Sequence, residues 1–159
     1  MFSGRIEGRF EQVLRDKLTG LDSTVGPVWF APDDPGLIAA AIGACLADGA
    51  ELVVTSGNMS VDPDDVTRLG IARTGAEDMV YGTPVLPGAM FLVGRIGRVP
   101  VLGLPACGMF HGITLLDLVL PRILTGETIG RAELAALGHG GLCRNCTPCR
   151  YPMCSCGKA

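Results

Sequence analysis

A chain of 159 residues is long enough for one domain with a proper core and too short for two comfortable ones. Its 48% hydrophobic and 18% charged residues are ordinary for a soluble globular protein, no run approaches transmembrane length, and the N-terminus has no apolar signal core. The net charge of -3 gives no electrostatic reason to expect nucleic acid or an anionic membrane, so an anionic ligand would need local basic groups or backbone donors.

Ile6, Phe10, Val13, Leu14 and Leu18 recur at helical spacing and predict a helix over 6–19. Residues 25–30 read as a strand. Asp34 then suits an N-cap and Pro35 the first helical position, opening an apolar-faced helix that ends at Gly49. The β-branched run 52–55 reads as a buried strand, followed by the turn formers Ser56-Gly57-Asn58 and a helix that Asp64 and Asp65 open and Gly75 stops. Further strands are expected at 79–81, 89–93 and 99–104, with a turn-rich loop over 83–88. A buried helix over 109–124, kinked or ended near Pro121, and a short helix over 131–137 complete the pattern. Strands alternating with helices predict an α/β fold, a three-layer α/β/α sandwich with a mainly parallel sheet. The expected domain spans 1–138, and a cysteine-rich tail follows over 139–159.

The stretch 53–67 concentrates the chemistry. Strand, glycine turn and helix start gather backbone N–H groups at one point, which suits a phosphate. Carboxylates beside it could hold a divalent metal such as Mg2+ that bridges to the phosphate. The plainer reading is a strand-to-helix turn whose aspartates cap the helix.

The residues of this stretch resemble the molybdopterin-binding domain of the molybdenum-cofactor biosynthesis proteins, the adenylyltransferase and the molybdate insertase. Thr55-Ser56-Gly57 is similar to the strand end of that family, Ser60-Val61 to the insertase variant and Asp65-Val66-Thr67 to the adenylyltransferase ending. Asn58 stands where the family has a second Gly; among side-chain-bearing residues, Asn tolerates a positive φ best. Pro32-Asp33-Asp34-Pro35 resembles an adenylyltransferase tetrapeptide whose Asp is functional, which marks Asp33. Pro87-Gly88 matches the next landmark. Leu104-Pro105-Ala106-Cys107-Gly108 is similar to Leu-Pro-Gly-x-Pro, with Ala106 and Gly108 as departures. The resemblance also implies that the first strand of the domain precedes residue 4, so the chain reads as a fragment or a late start, and the neighbouring strand as an open edge.

The resemblance implies that Thr55, Ser56, Gly57, Asn58, Met59, Ser60, Asp62, Pro87, Gly88, Pro105 and Ala106 hold molybdopterin or its nucleotide. It gives Asp33 and Asp65 the catalytic roles, in nucleotidyl transfer or molybdate insertion. It also implies a homo-oligomer, a trimer or a dimer. The alternative is a binding module without turnover, since fold does not settle activity. Whether molybdenum or tungsten is handled is not legible. Cys107, with His111 one helical turn on, reads as packing ahead of nucleophile.

Five of the seven cysteines crowd between Cys143 and Cys156, where a secreted disulfide scaffold would spread them; this favours a cytoplasmic protein with a metal-binding tail. Cys143, Cys146 and Cys149 form two successive Cys-x-x-Cys steps, and Cys154 arrives after a Tyr-Pro turn. Thiolates so close repel unless a cation neutralises them. Four cysteines suit tetrahedral zinc, while the run also begins like a ferredoxin motif, so an iron–sulfur cluster and Zn2+ both stand. Cys156 and His139 are left as spare or alternative ligands.

Overall fold

The computed structural model describes residues 4–57, 59 and 66–158. Helix α1 spans Gly4–Thr19 and buries Phe10, with Leu14 and Leu18 packed beside it, while Glu11 and Arg15 pair across one turn of its outer face at 2.8 Å. Residues 25–30 do not form the expected strand. They take no regular structure and have no ladder partner among the described residues, and Val28, Trp29 and Phe30 are exposed. β-Propensity alone holds no strand without a neighbour to satisfy its backbone groups.

Asp34 caps helix α2, Pro35–Ala47, accepting hydrogen bonds from the N–H groups of Gly36 (2.8 Å) and Leu37 (2.9 Å). Strand β1, Val53–Ser56, follows, then helix α3, Val66–Arg73. Strands β2, Glu77–Tyr81, β3, Leu92–Ile96, and β4, Val99–Leu104, complete a four-stranded sheet in the order β1-β4-β3-β2.

The sheet is mixed, a correction to the mainly parallel sheet expected. Only β1 and β4 run parallel, with Val53 beside Val101 and Ser56 beside Leu104; β3 is antiparallel to both β4 and β2. The reason is connection length. Gly97 and Arg98 alone join β3 to β4, with Gly97 at φ 59°, and a two-residue turn can only reverse the chain. β3 also starts later than the expected 89–93, since its ladder needs the register set by that hairpin.

Alternation along the strands sorts the core into two faces. Val93, Leu102 and Leu104 face a cluster with Phe10 of α1 and with residues of two later helices, α4 (Leu115–Leu124) and α5 (Arg131–Ala136). Val53, Leu92 and Val101 face the other way, onto Ile42 of α2 and Ile71 of α3. Helices on both faces give the three layers. Among the described residues no helix is long and apolar enough to cross a membrane.

The helix expected over 109–124 is two elements. A 3-10 turn, Ala106–Met109, is followed by a break, and α4 starts afresh at Thr114. The signal for the restart is Thr114-Leu-Leu-Asp117, in which the Asp117 carboxylate accepts the Thr114 N–H at 2.7 Å. Leu115 N–H goes to the Pro87 carbonyl at 3.1 Å, tying α4 to the 83–88 loop.

Pro121 lies inside α4 and has no N–H to give the Asp117 carbonyl one turn back. The Tyr151 hydroxyl donates to that carbonyl instead, at 3.3 Å. The tail is thus fastened to α4 at the place where the helix lacks a bond. Tyr151→Phe is expected to lower stability by about 1 kcal/mol, the worth of one such hydrogen bond, read as a lower urea midpoint at unchanged slope.

Candidate functional site

The parallel pair β1 and β4 ends with Ser56 level with Leu104, so Thr55-Ser56-Gly57 and Pro105 share one end of the sheet. Carboxyl ends of parallel strands are where open α/β sheets receive ligands, because loops diverge there and leave a crevice. Thr55 Oγ donates to the Leu102 carbonyl of β4 at 3.0 Å, which holds the two strand ends together. Gly57 passes so close to α3 that a Cβ would stand 2.5 Å from Thr67 Oγ1. Met59 buries its side chain in the core on the α2–α3 side, leaving only its backbone to a ligand. Asn58, Ser60, Asp62 and Asp65 lie outside the described residues.

A narrow cleft opens beside this end of the sheet, lined by Phe10, Lys17, Gly88, Phe91, Pro105 and Thr114 among others. With its open mouth included, the space between these side chains is about 340 Å³. Gly88 and Pro105 therefore come together as expected from the sequence. Gly88 holds φ 115°, and a Cβ there would stand 2.9 Å from Leu115 Cβ. Pro87 contributes its carbonyl to α4. Ala106 is exposed at the start of the 3-10 turn. Cys107 lines the cleft.

Lys17 is the residue that sequence reasoning missed. Its ammonium enters the cleft wall, donates to the Gly112 carbonyl at 2.8 Å and pairs with the largely buried Asp117 carboxylate. The signal was present: Lys17 follows Val13 and Leu14 at helical spacing, a cation on the apolar stripe of α1. Arg122 of α4 pairs instead with Glu127 on the outer surface. That pairing holds the Glu127 carboxyl below its usual range.

Asp33 stands exposed just before α2, without a hydrogen bond or ion pair among the described residues. Among those residues no three His, Cys, Asp or Glu side chains stand already arranged around an ion. The described residues therefore do not make up a divalent-ion site for Mg2+ at Asp33.

The tail folds back on the domain. Leu86 N–H bonds the Gly141 carbonyl at 2.7 Å, and Cys143 N–H returns to the Leu86 carbonyl at 2.8 Å. Gly157 sits against the Leu118 side chain of α4. Cys143, Cys146, Cys149, Cys154 and Cys156 all line one concavity with Tyr151, and all are free thiols. Cys146 and Cys149 are exposed, Cys143 and Cys154 half-buried and Cys156 buried. Burial, then the neighbouring Cys143, push the Cys156 thiol up to about 11.

A family model described as "Probable molybdopterin binding domain" matches residues 1–125, and comparison with curated proteins returned no match. The matched stretch carries all four strands, helices α1 to α4 and the cleft, and ends before the cysteine tail. Its glycine turn after β1, its Pro87-Gly88 corner and the end of β4 are the parts that shape the open end of the sheet. The chain belongs to the molybdopterin-binding domain family of molybdenum-cofactor biosynthesis.

Proposed function

We propose that this protein binds molybdopterin at the open end of the β1–β4 pair and hands it on in molybdenum-cofactor assembly, by nucleotidyl transfer or by molybdate insertion. The observation that carries this reading is the shared register of β1 and β4, which sets Thr55-Ser56-Gly57 level with Leu104 and Pro105, next to a cleft walled by Gly88 and Phe91. Phe10, Phe91 and Pro105 offer apolar walls to a flat pterin. Lys17 supplies the positive charge nearest the cleft, and the loop after β1 offers backbone donors to the phosphate.

In this reading Asp33 and Asp65 act on the nucleotide or the oxoanion. Asp33 is exposed and carries no partner among the described residues that would have to be displaced.

A second reading, a binding module without turnover, is favoured by Lys17. Its ammonium is already neutralised by Asp117, so the cleft offers little net positive charge to a transferring phosphoryl group. One experiment separates the two. Molybdopterin binding is followed by pterin fluorescence, and turnover with ATP or molybdate is followed in wild type and Asp65→Asn. Turnover reduced at least about a hundredfold in the variant, with binding retained, is expected for the enzyme. Binding with no turnover in wild type selects the module. Failure to bind molybdopterin at all would refute both.

A further inference from the structure

The tail over 139–158 is the basic part of an acidic chain. It holds Arg144, Arg150 and Lys158 and no Asp or Glu, whereas the whole chain carries a net charge of -3. Its backbone is fixed in place rather than trailing in solvent. Leu86 exchanges bonds with Gly141 and Cys143, the Tyr151 hydroxyl donates to the Asp117 carbonyl of α4, and Gly157 N–H closes the tail on the Gly140 carbonyl at 2.8 Å. That closure gathers Arg144 and Arg150 onto one concavity, whose space is about 370 Å³ with its open mouth included.

The chemistry of that lining suits an anion. Arg144 and Arg150 bring guanidinium donors, Ser155 a hydroxyl and the free cysteines weak thiol donors. Among the described residues no carboxylate lines the concavity. Neither guanidinium has an ion pair or hydrogen bond among those residues, whereas Arg15, Arg95 and Arg122 each hold a carboxylate. Lys158 is taken up by the Pro152 carbonyl and stands outside the lining. Two like charges held at one hollow repel each other, and an anion with several oxygens relieves both. A phosphate monoester carries nearly two negative charges at neutral pH and offers an oxygen pair to each guanidinium fork.

We propose that this concavity is a phosphate site, in which Arg144 and Arg150 hold the oxygens of one phosphate group and the Ser155 hydroxyl adds a further donor. The group is either the phosphate of the ligand in the neighbouring cleft or a free phosphate. The two hollows adjoin, since Ile113 borders the concavity and its chain neighbour Thr114 borders the cleft. The cleft's own cation, Lys17, is already neutralised by Asp117, so the tail supplies positive charge that the cleft lacks. Only the assignment to the cleft ligand rests on the molybdopterin reading above.

The test uses the full chain, kept reduced and at low ionic strength. Binding of radiolabelled orthophosphate is measured by equilibrium dialysis in wild type, Arg144→Gln, Arg150→Gln, Arg150→Lys and Arg131→Gln. Both tail arginines are exposed, so their variants should keep the wild-type urea midpoint. Either tail glutamine variant should bind orthophosphate at least about tenfold more weakly, and added salt should weaken the wild type. Arg131→Gln makes the same charge change on α5 and should bind as wild type does. Arg150→Lys should regain only part of the affinity, because lysine keeps the charge and loses the fork. A second arm adds molybdopterin. Displacement of orthophosphate, with pterin binding weakened in the tail variants, assigns the site to the cleft ligand's phosphate, and simultaneous binding assigns it to free phosphate. A wild type that binds no molybdopterin would refute the proposed function, while the orthophosphate arm still decides the site. No orthophosphate on wild type, unchanged binding in both tail glutamine variants, or an equal loss in Arg131→Gln would overturn it.

Discussion

Gly88→Val is expected to destabilise the fold by about 3 kcal/mol and to abolish molybdopterin binding. The first cost is conformational. Gly88 sits at φ 115°, where a β-branched residue is strained by about 1–2 kcal/mol. The second is steric. A Cβ would stand 2.9 Å from Leu115 Cβ and 3.0 Å from Leu115 N, and overpacking of this kind costs about 1–3 kcal/mol. Leu115 N–H is the group bonded to the Pro87 carbonyl, so relief of the clash would pull α4 off the loop that walls the cleft. Urea unfolding reads the first effect and pterin fluorescence the second. An unchanged urea midpoint would mean that the Pro87–Gly88 corner yields freely and does not hold α4 against the cleft.

Lys17→Met is the second large effect. It should lower stability by about 2–3 kcal/mol and weaken molybdopterin binding at least about tenfold. The Lys17 and Asp117 side chains are 17% and 13% exposed, so removing the ammonium strands a largely buried carboxylate. The expected loss falls below that of a fully buried pair because Asp117 still accepts from the Thr114 N–H and some solvent reaches it. Asp117→Asn in the same background should then cost little more, giving a coupling above about 1 kcal/mol in a double-mutant cycle. Additive losses would show that the pair contributes nothing jointly. If stability falls while binding holds, Lys17 is a strut between α1 and α4 and not a ligand contact.

Much of the site's framework was legible in the chain itself because its signals are local. Asp34-Pro35 marks a helix start through its own side-chain and ring geometry, and the structure shows the cap bonded as those residues require. The 99–104 run is apolar enough to be a strand in any packing, and it matches β4. The literal residues Thr55-Ser56-Gly57 and Pro87-Gly88 carried the family resemblance, which the match over residues 1–125 bears out.

Where the structure departs from the sequence pattern, a non-local term has taken over. Residues 25–30 have the composition of a strand, but strand formation needs a neighbour, and none among the described residues pairs with them. Regular strand–helix alternation suggested a mainly parallel sheet, whereas the two residues between β3 and β4 compel a hairpin and make the sheet mixed. The apolar run over 109–124 looked like one helix until the Thr114–Asp117 cap split it, a signal that was present but outweighed by hydrophobic periodicity.

Sequence alone determined that this is an α/β protein of the molybdopterin-binding domain family, with a glycine turn after its first strand and a cysteine-rich tail. Those properties reside in residue types and short spacings, which the chain carries whatever its packing. Tertiary structure alone decided that Lys17 meets Asp117 across nearly the whole domain and that Tyr151 fills the bond Pro121 leaves open. Each of these joins groups far apart along the chain, and burial and backbone pairing, not spacing, set which side chains meet.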